Sequence, residues 1–314
     1  MQTGPISCDL CEREMEFLWK TCDSANHPWN YVRCKTCGLI RLNIGHSNPL
    51  WNEVAYADPY YGDGFSKFKG AIQSLREFSA WRRAREIHQL FGKPGRVLDV
   101  GCGEGLFLGY MKKLGWKVCG CEIGERAAAR AEERLSQPIH RGDLETMPEP
   151  DLPWNVVMLW HVLEHLSNPM ALLKDLSNRM DPNGLLVIAI PNASSWQARL
   201  FGSDWFHLDP PRHLFSMDLF HLNEMARRVG WKIIESHHFS LEYNPYGWAQ
   251  SLLNRLGWKR DAMYEVLKNY HSLGKRKLFL RVLAWFLLGP SVIPAVLESL
   301  AKRGGTITVY LRKS

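Results

Sequence analysis

The sequence feature that most constrains the fold is a glycine-rich turn, RVLDVGCGEG, at residues 96–105. The apolar residues before the turn, Val97, Leu98 and Val100, are typical of a strand that is buried on both faces of a parallel sheet. Residues 106–115, LFLGYMKKLG, then predict a helix. A strand, a glycine turn and a helix in this order present backbone N–H groups to a ligand. The sequence therefore predicts an α/β, doubly wound domain with a ligand at this turn.

The spacing of the glycines narrows the class of ligand. Gly101, Gly103 and Gly105 form a GxGxG pattern, whereas the dinucleotide fingerprint is GxGxxG, so the third glycine comes one residue early and Leu106 takes its place. This difference disfavours NAD. The next predicted strand, KVCGCEIG, ends in Glu122, where a carboxylate can accept hydrogen bonds from both hydroxyls of a ribose.

These motifs are followed by GDLE and by NVVMLWHVLEHLSNP, and together they resemble the class I S-adenosylmethionine-dependent methyltransferases. The closest resemblance is to bacterial ubiquinone-biosynthesis O-methyltransferases and to sugar methyltransferases with an N-terminal zinc module. The resemblance covers residues 95–240. It implies a Rossmann-like, doubly wound sheet of seven strands and S-adenosyl-L-methionine as the cofactor. The residues that it implies as cofactor-binding are Asp99, Gly101, Cys102, Gly103, Gly105, Glu122, Ile123, Asp143, Leu144 and Trp160.

The segment His161-Val-Leu-Glu164-His165 lies where the resemblance places the acceptor pocket. It formally matches the HxxEH pattern of a zinc peptidase, but its position after a predicted strand of a methyltransferase argues against that activity. His161 is a candidate to deprotonate an acceptor hydroxyl. Glu164 and His165 either hold a divalent ion, as is suggested for quinol methyltransferases with ExxEH, or orient the loop. Because the first residue here is His, we expect the structural role for Glu164 and His165.

A second candidate base follows the fifth predicted strand. Residues 194–216 are rich in Trp, Phe, His and Pro, and they belong to the carboxyl edge of the sheet, where ligands of open α/β sheets bind. Within DPPRHL, His213 is the second candidate for the catalytic base, and Arg212 is a candidate anion-binding group. Trp205 and His207 are candidates for the wall of the pocket. The alternative is a proline-stiffened loop that packs its aromatic side chains on the core.

Four cysteines near the N-terminus form two CxxC pairs, Cys8 with Cys11 and Cys34 with Cys37, separated by 22 residues. Four thiolates satisfy the tetrahedral preference of Zn²⁺ and leave no open position, so the pattern predicts a structural zinc ribbon over residues 1–43. Four unrelated buried thiols are the alternative. The sequence also shows no secretory signal, which together with metal-binding cysteines predicts a reducing, cytoplasmic location.

The net charge of +7 is unevenly distributed. Residues 1–43 are neutral, residues 44–240 carry −1 and residues 241–314 carry +8. A nucleic-acid-binding ribbon would need a basic face, so the neutral ribbon argues against nucleic acid as a partner. The basic excess belongs to an insertion, residues 241–304, that precedes the last predicted strand.

The second half of this insertion is apolar. Its core, Val282 to Leu297, contains Pro290 and Pro294, so we expect it to be broken and too short to span a bilayer. Basic residues lie at both ends, at 275–277 and 302–303. This pattern suits peripheral contact with the inner face of the membrane through residues 276–303. A lid over the site and a dimer contact are the alternatives.

The sequence thus predicts a zinc ribbon, residues 1–43, in front of a methyltransferase domain, residues 44–314, in which residues 44–95 are a helical lead-in. The predicted activity is transfer of a methyl group from S-adenosylmethionine to a small molecule, namely a sugar, a quinol or a lipid-linked precursor. An RNA base methyltransferase and a non-catalytic cofactor-binding scaffold are the alternatives.

Overall fold

The larger of two sheets is built around the strand that precedes the glycine turn. The computed structural model describes residues 6–44, 71–260, 262–268 and 275–314. The strands of this sheet are β4 (Arg96–Val100), β5 (Lys117–Glu122), β6 (His140–Arg141), β7 (Trp154–Trp160), β8 (Met180–Pro191), β10 (Trp231–His237) and β11 (Thr306–Lys313). Their order is β6-β5-β4-β7-β8-β11-β10, and β11 pairs antiparallel with both of its neighbours. The predicted seven-stranded sheet is confirmed.

Both faces of this sheet are buried, because successive side chains of its central strands enter two different cores. In β7, Val157 and Leu159 belong to one core, while Val156 and Met158 belong to the other. The helices are α1 (Ala71–Phe91), α2 (Leu106–Lys113), α3 (Glu125–Leu135), α4 (Pro169–Arg179), α5 (Trp196–Phe201), α6 (Leu219–Arg228), α7 (Asn244–Arg255), α8 (Ala262–Lys268) and α9 (Lys275–Leu300). Apolar residues of α1, α2 and α3 fill one core, and those of α4 and α6 fill the other. Helix α1 lies in the predicted lead-in, of which residues 45–70 are outside the described residues.

The smaller sheet contains the N-terminal cysteines and a strand from the main domain. Its strands are β1 (Met15–Cys22), β2 (Pro28–Cys34), β3 (Ile40–Leu42) and β9 (Phe215–Ser216), in that order. Strand β3 pairs with β9, which ends the aromatic-rich loop after β8. Buried residues of the ribbon, among them Leu10 and Tyr31, belong to the same apolar core as Leu159 of β7. The predicted ribbon and the predicted domain therefore share both a sheet and a core.

Most of the described part of the insertion before the last strand is helical. The expectation that Pro290 and Pro294 break its apolar segment is wrong, because α9 runs without interruption through both residues. A proline removes one main-chain hydrogen bond, and here the packing of α9 against α7 holds the helix together, with Ala284 and Leu287 next to Leu253. No helix among the described residues is long and apolar enough to cross a bilayer. The side chains of residues 275–283, which include the first predicted basic flank, are outside the described part of the chain.

Candidate active site

The glycine turn connects β4 to α2 with a backbone that only glycine adopts readily. Gly101, Gly103 and Gly105 have φ angles of 68°, 54° and 66°. A β-carbon at Gly103 would meet no atom within 4 Å, so the turn faces open space at this residue. The positive φ angle favours glycine at this residue, and the open space leaves room for a ligand to approach the backbone.

Glu122, at the carboxyl end of the neighbouring strand β5, fixes the turn. One of its carboxylate oxygens accepts a hydrogen bond from the Gly103 N–H at 2.8 Å, and the other accepts from the Gly124 N–H at 2.7 Å. A carboxylate has about four acceptor positions, so each oxygen can still accept from a ligand hydroxyl. The next residue, Ile123, is exposed at the same edge.

Asp99, one residue before the end of β4, is buried and has an oxygen, Oδ1, with no hydrogen-bond partner among the described residues. Burial raises the pKa of this carboxyl to about 8, against the opposing charge of Arg83. A buried carboxylate without a partner is costly unless a ligand donates to it. Asp99 therefore suits a ligand with a positively charged or hydrogen-bond-donating group.

The remaining predicted cofactor residues lie around this edge. Asp143 is exposed, and its Oδ1 accepts from both the backbone N–H and the hydroxyl of Thr146, each at 2.9 Å, so its turn-stabilising role is visible in the structure. Leu144 and Cys102 are buried. Trp160 ends β7, and the guanidinium carbon of Arg83 lies 4.0 Å from the centroid of its ring. Their contact with a cofactor stays a prediction.

His161 follows β7 directly and has a φ angle of 55°, an uncommon backbone conformation for a residue with a side chain. Its Nδ1 lies 3.0 Å from Oε1 of Glu164, whose side chain is fully buried. Burial opposes ionisation of Glu164, but the hydrogen bond and the charge interaction with His161 outweigh it and lower the pKa of Glu164 to about 2. An ionised carboxylate can only accept, so Nδ1 of His161 carries the proton. The lone pair of the neutral ring is then on Nε2, which has no partner among the described residues.

Two rings lie beside His161: that of His207, which the sequence predicts for the wall of the pocket, and that of Tyr243, which it does not. The ring of Tyr243 lies 4.3 Å from the His161 ring, centroid to centroid, and the ring of His207 lies parallel to it at 6.5 Å. Burial lowers the pKa of His207 well below its usual range, so that ring is neutral. No sequence motif marks Tyr243, because the insertion brings it to the site from a separate part of the chain.

His213, the second candidate base, is held in place by its own loop. Its Nδ1 lies 2.7 Å from the His207 carbonyl oxygen, and its Nε2 lies 3.8 Å from a carboxylate oxygen of Asp209. The guanidinium of Arg212, predicted to bind an anion, pairs with both oxygens of Asp209. His213 is therefore oriented by a backbone carbonyl and a carboxylate, whereas Nε2 of His161 faces no partner within the described ranges.

Glu164, His165 and His213 form a compact group. Each offers one ligand atom, and these three atoms lie within 4.8 Å of one another, a spacing that a cation could occupy. Nδ1 of His165 lies 3.0 Å from the Arg212 carbonyl oxygen, and burial lowers the pKa of His165 to about 4. The group thus combines a buried carboxylate with a neutral imidazole.

The four N-terminal cysteines converge as predicted. The Sγ–Sγ distances are 3.5 Å for Cys8 and Cys37, 3.4 Å for Cys11 and Cys34, and 3.7 Å for Cys11 and Cys37. Tetrahedral Zn²⁺ with bonds of about 2.3 Å requires sulfur–sulfur distances of about 3.8 Å. Backbone N–H groups of the turns, such as Leu10 N–H to Cys8 Sγ at 3.4 Å, point at the sulfurs. The donor set and its spacing fit a closed zinc site.

The cysteine ribbon also supports the loop that carries His207 and His213. The Tyr31 hydroxyl donates to the Leu208 carbonyl oxygen at 2.8 Å, and the Leu42 N–H donates to the Leu214 carbonyl oxygen at 2.8 Å. The Leu214 N–H in turn donates to the Glu164 carbonyl oxygen at 2.8 Å. The ribbon, the loop and the His161–Glu164 pair are therefore connected by backbone hydrogen bonds.

Comparison with known families agrees with this geometry. The profile of the family described as "Methyltransferase domain" matches residues 75–236, which is 162 of the 314 residues. The chain belongs to this methyltransferase family. It is an S-adenosylmethionine-dependent methyltransferase, as the resemblance in the sequence predicted.

Curated relatives of this methyltransferase include two proteins named ubiquinone biosynthesis O-methyltransferase. The one from Maricaulis maris is 34% identical over 118 residues, which is 35% of this chain and 46% of that protein. The match therefore spans less than half of the length of the Maricaulis protein. The one from Cereibacter sphaeroides strain ATCC 17025 is 27% identical over 171 residues, which is 51% of this chain and 68% of that protein.

Two solved structures show the same fold as this methyltransferase. A methyltransferase from Thermotoga maritima, described as a possible histamine N-methyltransferase, has a TM-score of 0.51 at 13% identity and covers 84% of this chain and 100% of its own. A putative sarcosine dimethylglycine methyltransferase from Galdieria sulphuraria has a TM-score of 0.51 at 14% identity and covers 79% of this chain and 91% of its own. At these identities the likeness establishes the fold and not the substrate.

Proposed function

We propose that this methyltransferase transfers a methyl group to the hydroxyl of a small molecule, with His161 as the group that accepts the hydroxyl proton. The observation that carries the proposal is the His161–Glu164 pair, in which a buried carboxylate orients the ring and Nε2 has no hydrogen-bond partner in the described part of the chain. Sugars, quinols and lipid-linked precursors all have hydroxyl groups that could lose a proton to His161. The names of the curated relatives, which are O-methyltransferases, support an oxygen acceptor.

The residues at the glycine turn fit S-adenosylmethionine. Asp99, whose buried Oδ1 has no partner among the residues that the structure describes, would accept a hydrogen bond from the amino group of the methionine part, and Gly101 to Gly105 would surround that part. Glu122 and Ile123 would contact the ribose and the adenine, with Asp143 and Leu144 beyond them. When bound, the cofactor supplies a methyl group on a positively charged sulfur, which is already a strong electrophile.

The protein's own residues then have two tasks, to position the acceptor and to remove its proton. The Nε2 atom of His161 accepts that proton, and the ring becomes positively charged beside the ionised Glu164. The carboxylate stabilises this charge in a buried site where little water screens it. Tyr243 and the neutral His207 form the walls next to His161. We assign His213 to orientation of the loop, since both of its ring nitrogens face groups of that loop.

We further propose that Cys8, Cys11, Cys34 and Cys37 hold one structural Zn²⁺. Sulfur–sulfur distances of 3.4 to 3.7 Å within the group support this assignment. The role of the ion would be to fix the two turns of the ribbon.

The proposed activity is tested in two stages. Calorimetric titration with S-adenosylmethionine comes first, and absence of binding at high micromolar cofactor would refute the assignment of the cofactor site. A methyl-transfer screen over sugars, quinols and isoprenoid-linked precursors follows, with product mass as the readout. His161→Asn is expected to lower kcat by about 10²- to 10⁴-fold, the usual contribution of a general base. His27→Asn, at an exposed position on the ribbon, is the control, and equal kcat for both variants would remove His161 from the mechanism.

A further inference from the structure

Helices α5, α7 and α9 together present apolar side chains to solvent. On α9, Phe286, Ile293 and Leu300 are 72%, 64% and 77% exposed, and their spacing places them on one side of the helix. The other exposed apolar residues of these helices and of the turn after α7 are Trp196, Leu200, Leu252, Leu256, Trp258, Trp285, Val292, Val296 and Leu297. We call this surface the apolar face. Large contiguous patches of exposed apolar side chains mark interaction sites.

A groove of about 490 Å³ lies within the apolar face. Its walls come from all three helices and include Leu200, Trp248, Leu252, Phe286, Pro290 and Pro294. The sequence marked only residues 276–303 as a contact, whereas the structure adds α5 and α7 to the same surface. The face is therefore wider than one helix.

Positively charged side chains border the apolar face. Of the described residues, Arg199, Lys259, Lys302 and Arg303 are exposed and lie on its helices or just after them.

Two acidic residues in the described part of this region have partners within the protein. Glu298 of α9 is buried, where it accepts from Gln197 and from the Gly305 N–H. Asp204 pairs with Arg255. Apolar side chains that are bordered by cations match a bilayer surface with anionic headgroups.

We propose that the apolar face docks on an anionic lipid bilayer, with α9 lying in the plane of the headgroups. If two copies of the chain paired through this face, the cations of one copy would lie close to those of the other and repel them. Anionic lipid headgroups would instead attract these cations. This inference goes beyond the proposed function, and docking requires neither cofactor nor methyl acceptor. A failure of one proposal therefore leaves the other intact.

Co-sedimentation of the full chain with vesicles tests the docking. We expect binding to phosphatidylcholine vesicles that contain about 30 mol % phosphatidylglycerol, and weaker binding to phosphatidylcholine alone. Raising the salt from about 0.05 M to about 0.5 M should weaken the binding, because salt screens the attraction between cations and headgroups. Binding that changes neither with the fraction of anionic lipid nor with the salt concentration would overturn the proposal that the bilayer must be anionic.

The double variant Phe286→Glu with Ile293→Glu should reduce partitioning at least about tenfold, because it places two charges in the apolar layer. Both side chains are exposed, so folding should be unchanged in a thermal scan. Phe220→Glu, at a residue that is 55% exposed on α6, is the matched control and should bind as the wild type does. Equal binding of the double variant and the wild type overturns the proposal. The proposal is also overturned if the wild type binds no vesicles and instead forms a dimer that the double variant dissociates.

Discussion

Replacing Tyr31 by Phe tests whether the cysteine ribbon positions the loop that carries His207 and His213, which we call the acceptor loop. The Tyr31 side chain is fully buried, and its hydroxyl donates to the Leu208 carbonyl oxygen at 2.8 Å. Burial raises the pKa of Tyr31 above its usual range, so the hydroxyl stays a donor at every pH of an assay. The variant leaves the ring in place but removes the donor from a buried carbonyl, at a cost of about 1–3 kcal/mol.

Part of this cost should fall on the loop, because Leu208 lies between His207 and Asp209. Each ~1.4 kcal/mol that the loop loses corresponds to about a tenfold change in an equilibrium or a rate. We therefore expect kcat/KM for the methyl acceptor to fall by about tenfold, while the Kd for S-adenosylmethionine stays unchanged. Denaturant unfolding measures the loss of stability, and steady-state kinetics with calorimetry measures the other two quantities.

Tyr310→Phe is the matched control for Tyr31→Phe. Tyr310 lies on β11, away from the acceptor loop, and its ring is also buried. Its hydroxyl donates to Glu86 at 2.7 Å. This control should lose stability without losing acceptor turnover. If Tyr31→Phe keeps the wild-type kcat/KM while its stability falls, the ribbon contributes only to folding and the positioning role is refuted.

Three further perturbations follow from the site. Glu164→Gln should lower kcat by about 10²-fold or more without changing cofactor affinity, because the amide can accept a hydrogen bond from His161 but cannot balance the positive charge of that ring. Unchanged turnover would contradict the proposed role of the His161–Glu164 pair. Asp99→Asn should stabilise the cofactor-free protein at pH 8 and weaken cofactor binding. Burial raises the pKa of Asp99 in the folded state to about 8 from its ordinary 3.8. The wild type therefore loses stability as the pH rises between these two values, by up to ~1.4 kcal/mol per pH unit. If the thermal stability of both proteins changes equally with pH, burial of Asp99 is not the cause of the pH dependence. Elemental analysis should find about one zinc per chain. Cys34→Ser should lose this zinc and Cys22→Ser should retain it, because of these two residues only Cys34 belongs to the four-cysteine group. If both variants retain zinc, the ribbon binds the ion through other ligands.

Much of the fold could be predicted because its signals are local. The apolar run before Gly101 and the glycines themselves predict a buried strand and a turn, and the structure has both at those residues. The spacing of the four cysteines likewise predicts their convergence. The continuity of α9 could not be predicted, because the two prolines argue for a break and only packing on α7 overrides them.

The methyltransferase fold could be predicted from the sequence because its motifs consist of residues that are close together in the chain, and the same local motifs predict the cofactor turn and the candidate base His161. Tertiary structure alone decided which side chains meet at His161. Tyr243 comes from the insertion, and Tyr31 supports the loop from the ribbon, 177 residues away from Leu208 in the chain. Contacts of that separation depend on how sheets and helices pack, and no local pattern of residues encodes them.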